Sequence, residues 1–354
     1  MRILVIGAGA IGTLLAGCLA SGGNEVAVVL RNRPPSLHVA SVMDAEGNRV
    51  ASAEVRSYPG TAVALDGFRP ELSILAVKGY ATESVIREAL EGKRKPGGLF
   101  MTVQNGIGNE EALVNAFGSD AVISGIITSP VEKLGDLEVR RLKRGILGIA
   151  PVSPGKSIEE ISALFEQAGF EVQIFGDYRS MKWSKLMMNM IGNALPAIVG
   201  WPPEAVFGNR HLAEVEVRAL KETVTVMKAY GIRPVRVGRY PLPLLSSFLG
   251  VLPTTLLAVM MKPLVARGRG GKRPSLQIDL MMGKRQSEVE FLNGAVVNYG
   301  RAEGVPVPVN SCITETLASM FDGKIPRSFF DGDPERLLER CRDYEQKEAK
   351  RQET

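Results

Sequence analysis

The sequence is poor in histidine and cysteine. Its 354 residues include two histidines, His38 and His211, and three cysteines, Cys18, Cys312 and Cys341. So few histidines argue against a multi-histidine metal site and against a histidine-based catalytic triad. The cysteines are odd in number and form neither a metal-binding spacing nor a disulfide framework. We therefore expect no metal, a reducing compartment and a cytoplasmic location.

The charge is only mildly one-sided. The net charge is +5 and the pI is about 9.1, and most basic residues are spread along the chain. Such a surplus suits an enzyme that attracts phosphorylated cofactors and carboxylate substrates. We expect no nucleic-acid partner. Residues 1–6 form an apolar run that leads directly into glycines, which predicts a first strand and not a secretory signal.

The spacing of apolar residues predicts two domains. Short apolar runs alternate with helical segments as far as residue 174, which is typical of an α/β fold with a mostly parallel, doubly wound sheet. The predicted strands are 1–6, 26–30, 72–77, 99–103, 121–124, 146–149 and 172–174, and the predicted helices include 11–21 and 157–168.

Long helical patterns dominate after residue 181, through 230 and then over 275–299 and 311–321. We predict a doubly wound α/β domain over 1–178 and a mostly α-helical substrate and catalytic domain over 179–330. A charged C-terminal tail over 331–354 is expected to form a short helix with a frayed end.

One segment is unusual for such an enzyme. No charged residue lies between Arg239 and Lys262, and the run is long enough to span a bilayer. Pro241, Pro243 and Pro253 interrupt it, however, and it lies inside the catalytic domain. We therefore favour buried helices, or an apolar surface covered by the second subunit of a homodimer, over membrane contact.

A glycine motif follows the first strand and opens a helix. It has the form G-x-G-x-x-G and consists of Gly7, Ala8, Gly9, Ala10, Ile11 and Gly12. In a dinucleotide site the three glycines allow a tight turn, close approach to the pyrophosphate and close packing of helix on strand. The motif predicts such a site, and the alternative is an ordinary glycine-rich turn.

The end of the second strand distinguishes the two nicotinamide cofactors. An NAD site needs an acidic residue there, whereas this chain has Arg31 and Arg33. A guanidinium can hold the 2′-phosphate of NADPH through two hydrogen bonds, so NADPH is the predicted cofactor. The alternative for Arg31 is a solvated loop arginine.

Lys185, Asn189 and Asn193 are spaced four residues apart in a predicted helix over 181–198, which places all three on one face. Polar groups on an otherwise apolar helix need partners or a cleft. Reduction of a ketone needs a proton donor for the alkoxide, and an ammonium group supplies both proton and charge. The alternative is a helix edge whose lysine extends to water.

These motifs together resemble the ketopantoate reductase (2-dehydropantoate 2-reductase) family across nearly the whole chain. Besides the glycine motif, Arg31 and the Lys185 helix, the matching elements are Val77-Lys78-Gly79-Tyr80, Val103-Gln104-Asn105-Gly106-Ile107-Gly108-Asn109, Pro274-Ser275-Leu276-Gln277-Ile278-Asp279 and Ser287-Glu288-Val289-Glu290-Phe291-Leu292-Asn293-Gly294.

The resemblance implies a role for each matching residue. Lys185 is the general acid, and Asn189, Asn193 and Ser275 bind a small anionic 2-keto acid. Lys78 and Asn105 line the nicotinamide side of the site, and Glu288 contacts cofactor or substrate as a second catalytic residue. From the residues alone, Ser275 is a helix N-cap after Pro274 and Glu288 is a surface carboxylate.

Three functions remain open. The first is NADPH-dependent reduction of ketopantoate to pantoate in pantothenate and coenzyme A biosynthesis. The second is the same chemistry on another small 2-keto acid, because Pro196 and Pro203 depart from the family pattern and the uncharged segment looks like an insertion. The third is a non-catalytic NADP sensor, which would not need Lys185 or the two asparagines.

Overall fold

The computed structural model describes residues 1–31, 33–93, 96–268 and 273–352. It consists of two compact units. Met1–Gln104 with Gly108–Lys182 form the first, and Asn105–Ile107 with Trp183–Thr354 form the second. The domain division after residue 178 stays a prediction, and the three-residue segment 105–107 was not expected in the second unit.

The first unit contains an eleven-stranded sheet within the described ranges. Its strands are β1 (Arg2–Ile6), β2 (Glu25–Val29), β3 (Leu37–Met43), β4 (Arg49–Tyr58), β5 (Leu72–Leu75), β6 (Leu99–Thr102), β7 (Val122–Ile127), β8 (Val131–Gly135), β9 (Glu138–Arg141), β10 (Ile146–Pro151) and β11 (Glu171–Ile174). The helices are α1 (Ala10–Ser21), α2 (Thr61–Phe68), α3 (Thr82–Leu90), α4 (Asn109–Phe117) and α5 (Glu159–Gln167).

The strand order is β11-β10-β7-β6-β5-β1-β2-β4-β3-β9-β8. From β7 to β4 every pairing is parallel, with β1 at the centre between β5 and β2. The central strands are buried apolar runs, such as Leu72–Leu75, because helices cover both faces of a parallel sheet. The predicted Rossmann-like doubly wound sheet is confirmed.

Four strands were not predicted. β3 and β4 form an antiparallel hairpin, and β9 and β8 extend the sheet beyond β3. Charged residues are interspersed along β4 and β8, which conceals their strand character. The turn of the first hairpin is held by Asp44, whose carboxylate accepts hydrogen bonds from the backbone and side chain of Asn48.

The second unit is helical. Helix α6 (Tyr178–Met190) begins in the first unit and continues into the second. The remaining helices are α7 (Ala194–Val199), α8 (Pro203–Gly208), α9 (Arg210–Ala229), α10 (Leu242–Val251), α11 (Thr254–Gly268), α12 (Ser275–Met281), α13 (Asn293–Ala302), α14 (Pro308–Phe321) and α15 (Pro334–Gln352). Among the described residues, no helix combines the length and the apolar character needed to cross a membrane.

Two predicted helices are interrupted. The helix expected over 181–198 ends at Met190, and α7 begins only at Ala194. Gly192 between them has φ +57°, a left-handed conformation that ends a helix and favours glycine. The single face expected for Lys185, Asn189 and Asn193 is therefore wrong, because Asn193 precedes α7. Similarly, the pattern over 275–299 divides into α12 and α13, with Gly283 at φ +67° after the first.

The charged C-terminal segment forms a longer helix than predicted. α15 is 19 residues long, and Leu337, Leu338 and Cys341 on one side of it are buried in the core of the second unit. The apolar positions recur at helical spacing among the charges, which anchors the helix. Residues 353–354 of the predicted tail lie outside the described residues.

Helix α9 carries a carboxylate in an unusual setting. Glu222 accepts hydrogen bonds from the backbone N–H groups of Val309 and Asn310 at 2.8 and 2.9 Å, at the first turn of α14. Burial nevertheless outweighs these bonds and raises the pKa of the Glu222 carboxyl from 4.5 to about 7.

This raised pKa predicts a pH-dependent stability. Between pH 4.5 and about 7 the folded state holds a proton on Glu222 that the unfolded chain releases, so stability falls as the pH rises through this range. We expect this group to lower the free energy of unfolding by up to about 3 kcal/mol. Urea unfolding of the protein and of Glu222→Gln at several pH values isolates the effect, because other groups cancel in the difference. If the free energies of unfolding of the two proteins changed with pH in parallel, the prediction would be contradicted.

Candidate active site

The glycine motif is shaped for close approach by a ligand. Gly7 has φ +108°, and a Cβ built on it would lie 2.7 Å from Cγ1 of Val77. A Cβ on Gly12 would lie 1.8 Å from the carbonyl oxygen of Gly7, so any side chain there would separate α1 from β1. Nothing lies within 4 Å of the position that a Gly9 Cβ would take. The first and third glycines thus serve packing, and the second leaves an open cradle that suits a pyrophosphate.

The cradle lies at the N-terminus of α1, where backbone N–H groups and the helix dipole favour negative charge. Ala8 follows the turn, and Ala10 and Ile11 begin the helix. Nζ of Lys133, on β8, donates a hydrogen bond to the carbonyl oxygen of Ala8 at 3.3 Å. Sequence analysis did not identify Lys133, because no local motif connects β8 with the glycine loop.

Arg31 lies two residues after the end of β2. Its side chain is exposed, and Nη2 lies 2.9 Å from Oε1 of Glu88 on α3. Glu88 also accepts a hydrogen bond from the backbone N–H of Thr61 at 3.1 Å, which fixes its position. Exposed ion pairs are weak, so a phosphate dianion can compete with Glu88 for the guanidinium.

A polar pocket lies in the second unit. Its empty volume is about 390 Å³, and its lining consists of Asn105, Met188, Asn189, Asn193, Ser275, Glu288 and Leu292. Five of these seven residues are polar, and all five were predicted site residues. They come from four separate parts of the sequence and converge only through folding. The polar lining suits a small polar metabolite.

The loop 105–107 is held tightly in the second unit. Gly106 has φ +84°, and a Cβ there would lie 2.3 Å from the carbonyl oxygen of Phe291. That same oxygen accepts a hydrogen bond from the N–H of Ile107 at 3.0 Å. Asn105 in turn accepts a hydrogen bond at Oδ1 from Nδ2 of Asn189 at 3.1 Å. Only glycine fits at position 106, and the loop is thereby fixed beside α6.

Asn193 connects two walls of the pocket. Its Oδ1 accepts a hydrogen bond from the backbone N–H of Leu276 at 3.4 Å, which ties it to the start of α12. Ser275 is the first residue of α12, with Pro274 in the cap position, so the N-cap interpretation of Ser275 is wrong by one residue. Glu288 is buried with 4% of its surface exposed, so the surface-carboxylate interpretation is also wrong.

The two predicted lysines lie on separate elements. Lys185 is half-buried on α6, one turn before Asn189, but it is not among the described residues that line the pocket. The helical spacing places it on the same side of α6 as Asn189. Lys78 is half-buried where the chain leaves β5, directly before a 3-10 turn at Gly79–Ala81.

A buried ion pair in the first unit escaped sequence analysis. Nζ of Lys182 lies 3.1 Å from Oε1 of Glu110 and donates a hydrogen bond to the carbonyl oxygen of Gln104 at 2.6 Å. The two side chains are 3% and 1% exposed. Burying such a pair is costly unless its remaining bonds are satisfied, and Ser124 donates to the same Glu110 oxygen at 2.7 Å. The pair fixes Gln104, the residue that precedes Asn105.

The parallel sheet with its glycine cradle, together with a polar pocket in the helical unit, defines a nicotinamide-dependent oxidoreductase. A family model described as "Ketopantoate reductase PanE/ApbA" matches residues 3–154. Its C-terminal counterpart matches residues 177–320. The chain therefore belongs to the ketopantoate reductase family, which acts on CH–OH groups and uses NADPH.

Individual proteins are similar to this chain in sequence or in fold. The chain is 27% identical over 312 residues to a 2-dehydropantoate 2-reductase of Pyrococcus horikoshii, covering 88% of this chain and 94% of that protein. A PanE/ApbA family ketopantoate reductase from Ralstonia eutropha superposes with a TM-score of 0.74 at 24% identity, over 92% and 99% of the two chains. D-mandelate dehydrogenase with NADH and anilino(oxo)acetate gives a TM-score of 0.74 at 18% identity, over 91% and 99%.

Proposed function

We propose that the protein reduces ketopantoate to pantoate with NADPH, a step of pantothenate and coenzyme A biosynthesis. The observation that carries the proposal is the pocket of the second unit, in which Asn105, Asn189, Asn193, Ser275 and Glu288 converge. Cofactor binding alone would not require this second set of polar groups. The relatives named 2-dehydropantoate 2-reductase support ketopantoate as the substrate.

The residues divide the chemistry between them. NADPH, held by the glycine motif and Arg31, would supply the hydride for the 2-keto carbon of the substrate. As the carbon–oxygen double bond becomes single, the oxygen takes a proton from the ammonium of Lys185, which solvent then restores. Ser275 and Asn193 hold the carboxylate end, with Ser275 at the N-terminus of α12 where negative charge is favoured. Asn189 orients the substrate, held in turn by Asn105.

Glu288 and several residues of the first unit also have roles in the proposed reaction. Glu288 is a buried carboxylate in the pocket wall and is suited to accept a hydrogen bond from a hydroxyl of substrate or cofactor. Lys78 contributes positive charge on the nicotinamide side, and Gly9 and Lys133 surround the pyrophosphate. A catalytic role for Lys185 also argues against the sensor function, which needs no acid.

A second candidate is the same reaction on a different 2-keto acid. The structural similarity to D-mandelate dehydrogenase favours considering it, because the structure of that protein contains anilino(oxo)acetate. Neither Pro196 nor Pro203 is among the described residues that line the pocket, so these departures do not by themselves exclude ketopantoate.

Steady-state kinetics on a panel of substrates tests the proposal. NADPH oxidation would be followed with ketopantoate, 2-ketoisovalerate, pyruvate and phenylglyoxylate. We expect the highest kcat/KM with ketopantoate. A higher value with another acid would support the second candidate, and no turnover with any acid, despite tight binding of NADPH, would support the sensor.

The cofactor preference gives a separate prediction. Arg31→Asp should shift the ratio of kcat/KM for NADPH over NADH towards NADH by about 100-fold or more, since a carboxylate repels the 2′-phosphate and accepts from ribose hydroxyls. Glu88→Gln is the matched control. This variant releases Arg31 from its ion pair. It should tighten the binding of NADPH and leave the affinity for NADH unchanged. An unaltered ratio in Arg31→Asp would remove Arg31 from the 2′-phosphate site.

A further inference from the structure

The uncharged segment forms two helices that each present an apolar stripe to solvent. On α10, Leu244, Phe248 and Val251 are exposed and recur at i, i+4 and i+7. On α11, Leu256, Val259 and Met260 are exposed and recur at i, i+3 and i+4. Such spacings place each set on one helix face. Val251 and Val259 are 81% and 67% exposed, which is rare for large apolar side chains grouped together.

The same helices are anchored on their other side. Leu242 and Leu249 of α10 and Leu257, Ala258 and Met261 of α11 are buried in the second unit. Each of the two helices is thus fixed to the protein by one apolar side and displays a second. The sequence predicted that the uncharged segment is buried or covered by a second subunit. The structure buries one side of each helix and leaves the other side exposed. We refer to the six exposed residues as the apolar face.

The chain segment that carries the apolar face contains charges of one sign only. Between Glu222 and Asp279 the sequence contains no acidic residue and nine basic ones, which are Lys228, Arg233, Arg236, Arg239, Lys262, Arg267, Arg269, Lys272 and Arg273. Arg269 and Lys272 lie outside the described residues. Arg239 and the exposed Tyr240 directly precede α10, and exposed Lys262 follows Val259 by three residues on α11.

This charge pattern favours one of two possible partners for the apolar face, a second copy of the chain or a lipid surface. In a symmetric contact with a second copy, the same segment would supply no acidic partner for these cations, because residues 223–278 contain none. An anionic lipid surface offers apolar chains to the face and negative headgroups to the cations around it, and tyrosine is typical of the membrane interface. With 10 and 15 residues, α10 and α11 are too short to span a bilayer, so they would lie in its surface.

We propose that the apolar face, together with exposed Arg239 and Lys262, docks the protein peripherally on anionic membrane surfaces. Leu244, Phe248, Val251, Leu256, Val259 and Met260 enter the headgroup region, while Arg239 and Lys262 pair with lipid phosphates. The attraction of the protein to such surfaces increases with each basic residue and weakens as the salt concentration rises. The proposal is independent of the reductase activity, since none of these residues lines the active-site pocket.

Vesicle co-sedimentation of the full-length protein tests the docking. Vesicles of phosphatidylcholine alone would be compared with vesicles containing roughly 30% phosphatidylglycerol. We expect at least about tenfold stronger binding to the anionic vesicles at about 0.1 M salt, and loss of this difference at about 1 M. Equal binding to the two compositions, or no binding to either, would overturn the proposal.

Two variants separate the apolar and electrostatic contributions. The double variant Val251→Ser with Val259→Ser should bind anionic vesicles about tenfold or more weakly. Arg239→Gln with Lys262→Gln should weaken the same binding by about tenfold. Val63→Ser is the matched control, because Val63 is 50% exposed on α2 in the first unit, and it should bind as the parent does.

Sedimentation velocity on the same proteins tests coverage by a second copy. The proposal expects the two serine substitutions to leave the sedimentation coefficient unchanged. Conversion of a dimer to a monomer by these substitutions, with no vesicle binding by the parent, would show that the face is a subunit interface and would overturn the proposal. Ketopantoate kinetics should be unchanged in all four proteins.

Discussion

Replacing Lys185 with methionine should lower kcat for ketopantoate reduction by about 100-fold or more, with the Kd for NADPH changed less than about twofold. Methionine keeps most of the length and apolar stem of lysine but removes the proton and the charge. The alkoxide that forms at the 2-keto carbon would then depend on water. Because Lys185 is on α6 and the glycine cradle is on the first unit, cofactor binding should not depend on it.

Lys228→Met is the control for this experiment. Lys228 is an exposed lysine at the end of α9, and its loss should alter neither kcat nor cofactor affinity. The pH profile gives a readout that misfolding would not mimic: the parent should lose activity at alkaline pH as Lys185 deprotonates, and the variant should lack this limb. An unaltered kcat in Lys185→Met would remove the lysine from the acid role.

Gly9→Val should raise the Kd for NADPH by about 100-fold or more while lowering the melting temperature by only about a few degrees, the cost of valine at an N-cap. Gly9 has φ −75° and ψ −172°, an extended conformation that valine adopts readily. Nothing in the protein lies within 4 Å of the new Cβ, so the fold accepts it. The added side chain would instead occupy the space that the cofactor pyrophosphate needs.

Two further glycines sharpen this prediction. Gly176→Val adds a side chain at another open position and should change neither Kd nor melting temperature. Gly12→Ala should destabilise the fold itself, because its Cβ would collide with the carbonyl oxygen of Gly7. Binding is measured by quenching of protein fluorescence with NADPH. Normal affinity in Gly9→Val would mean that the open side of the loop does not hold the cofactor.

Sequence patterns predicted the strands that are buried on both faces of the sheet. The central strands were found because both faces of a parallel sheet are covered, which leaves continuous apolar runs such as Leu72–Leu75. β4 was not found, because charged residues such as Arg49, Glu54 and Arg56 interrupt its run. Its strand character depends on pairing with β2 and β3, which are distant in sequence or joined by a turn.

The sequence indicated which polar residues come together but not how they are arranged, and their roles stay a prediction. Asn105, Asn189, Asn193, Ser275 and Glu288 were identified by motif, and the structure brings them to one pocket. Their arrangement depends on the left-handed turn at Gly192, which a helical pattern conceals. Lys182 was missed because a lysine between two apolar residues looks like a surface position until its buried partner Glu110 is known.

The placement of residues 105–107 has a consequence for how the protein can be divided. This tripeptide belongs to the helical unit, yet both of its neighbours, Gln104 and Gly108, belong to the sheet unit. A fragment starting at Trp183 would lack Asn105, the hydrogen-bonding partner of Asn189. Chimeras that exchange the segment after residue 182 between relatives would thus inherit Asn105, and with it the hydrogen bond to Asn189, from the opposite parent. The boundary between the two units crosses the chain three times, so a single crossover point cannot separate them.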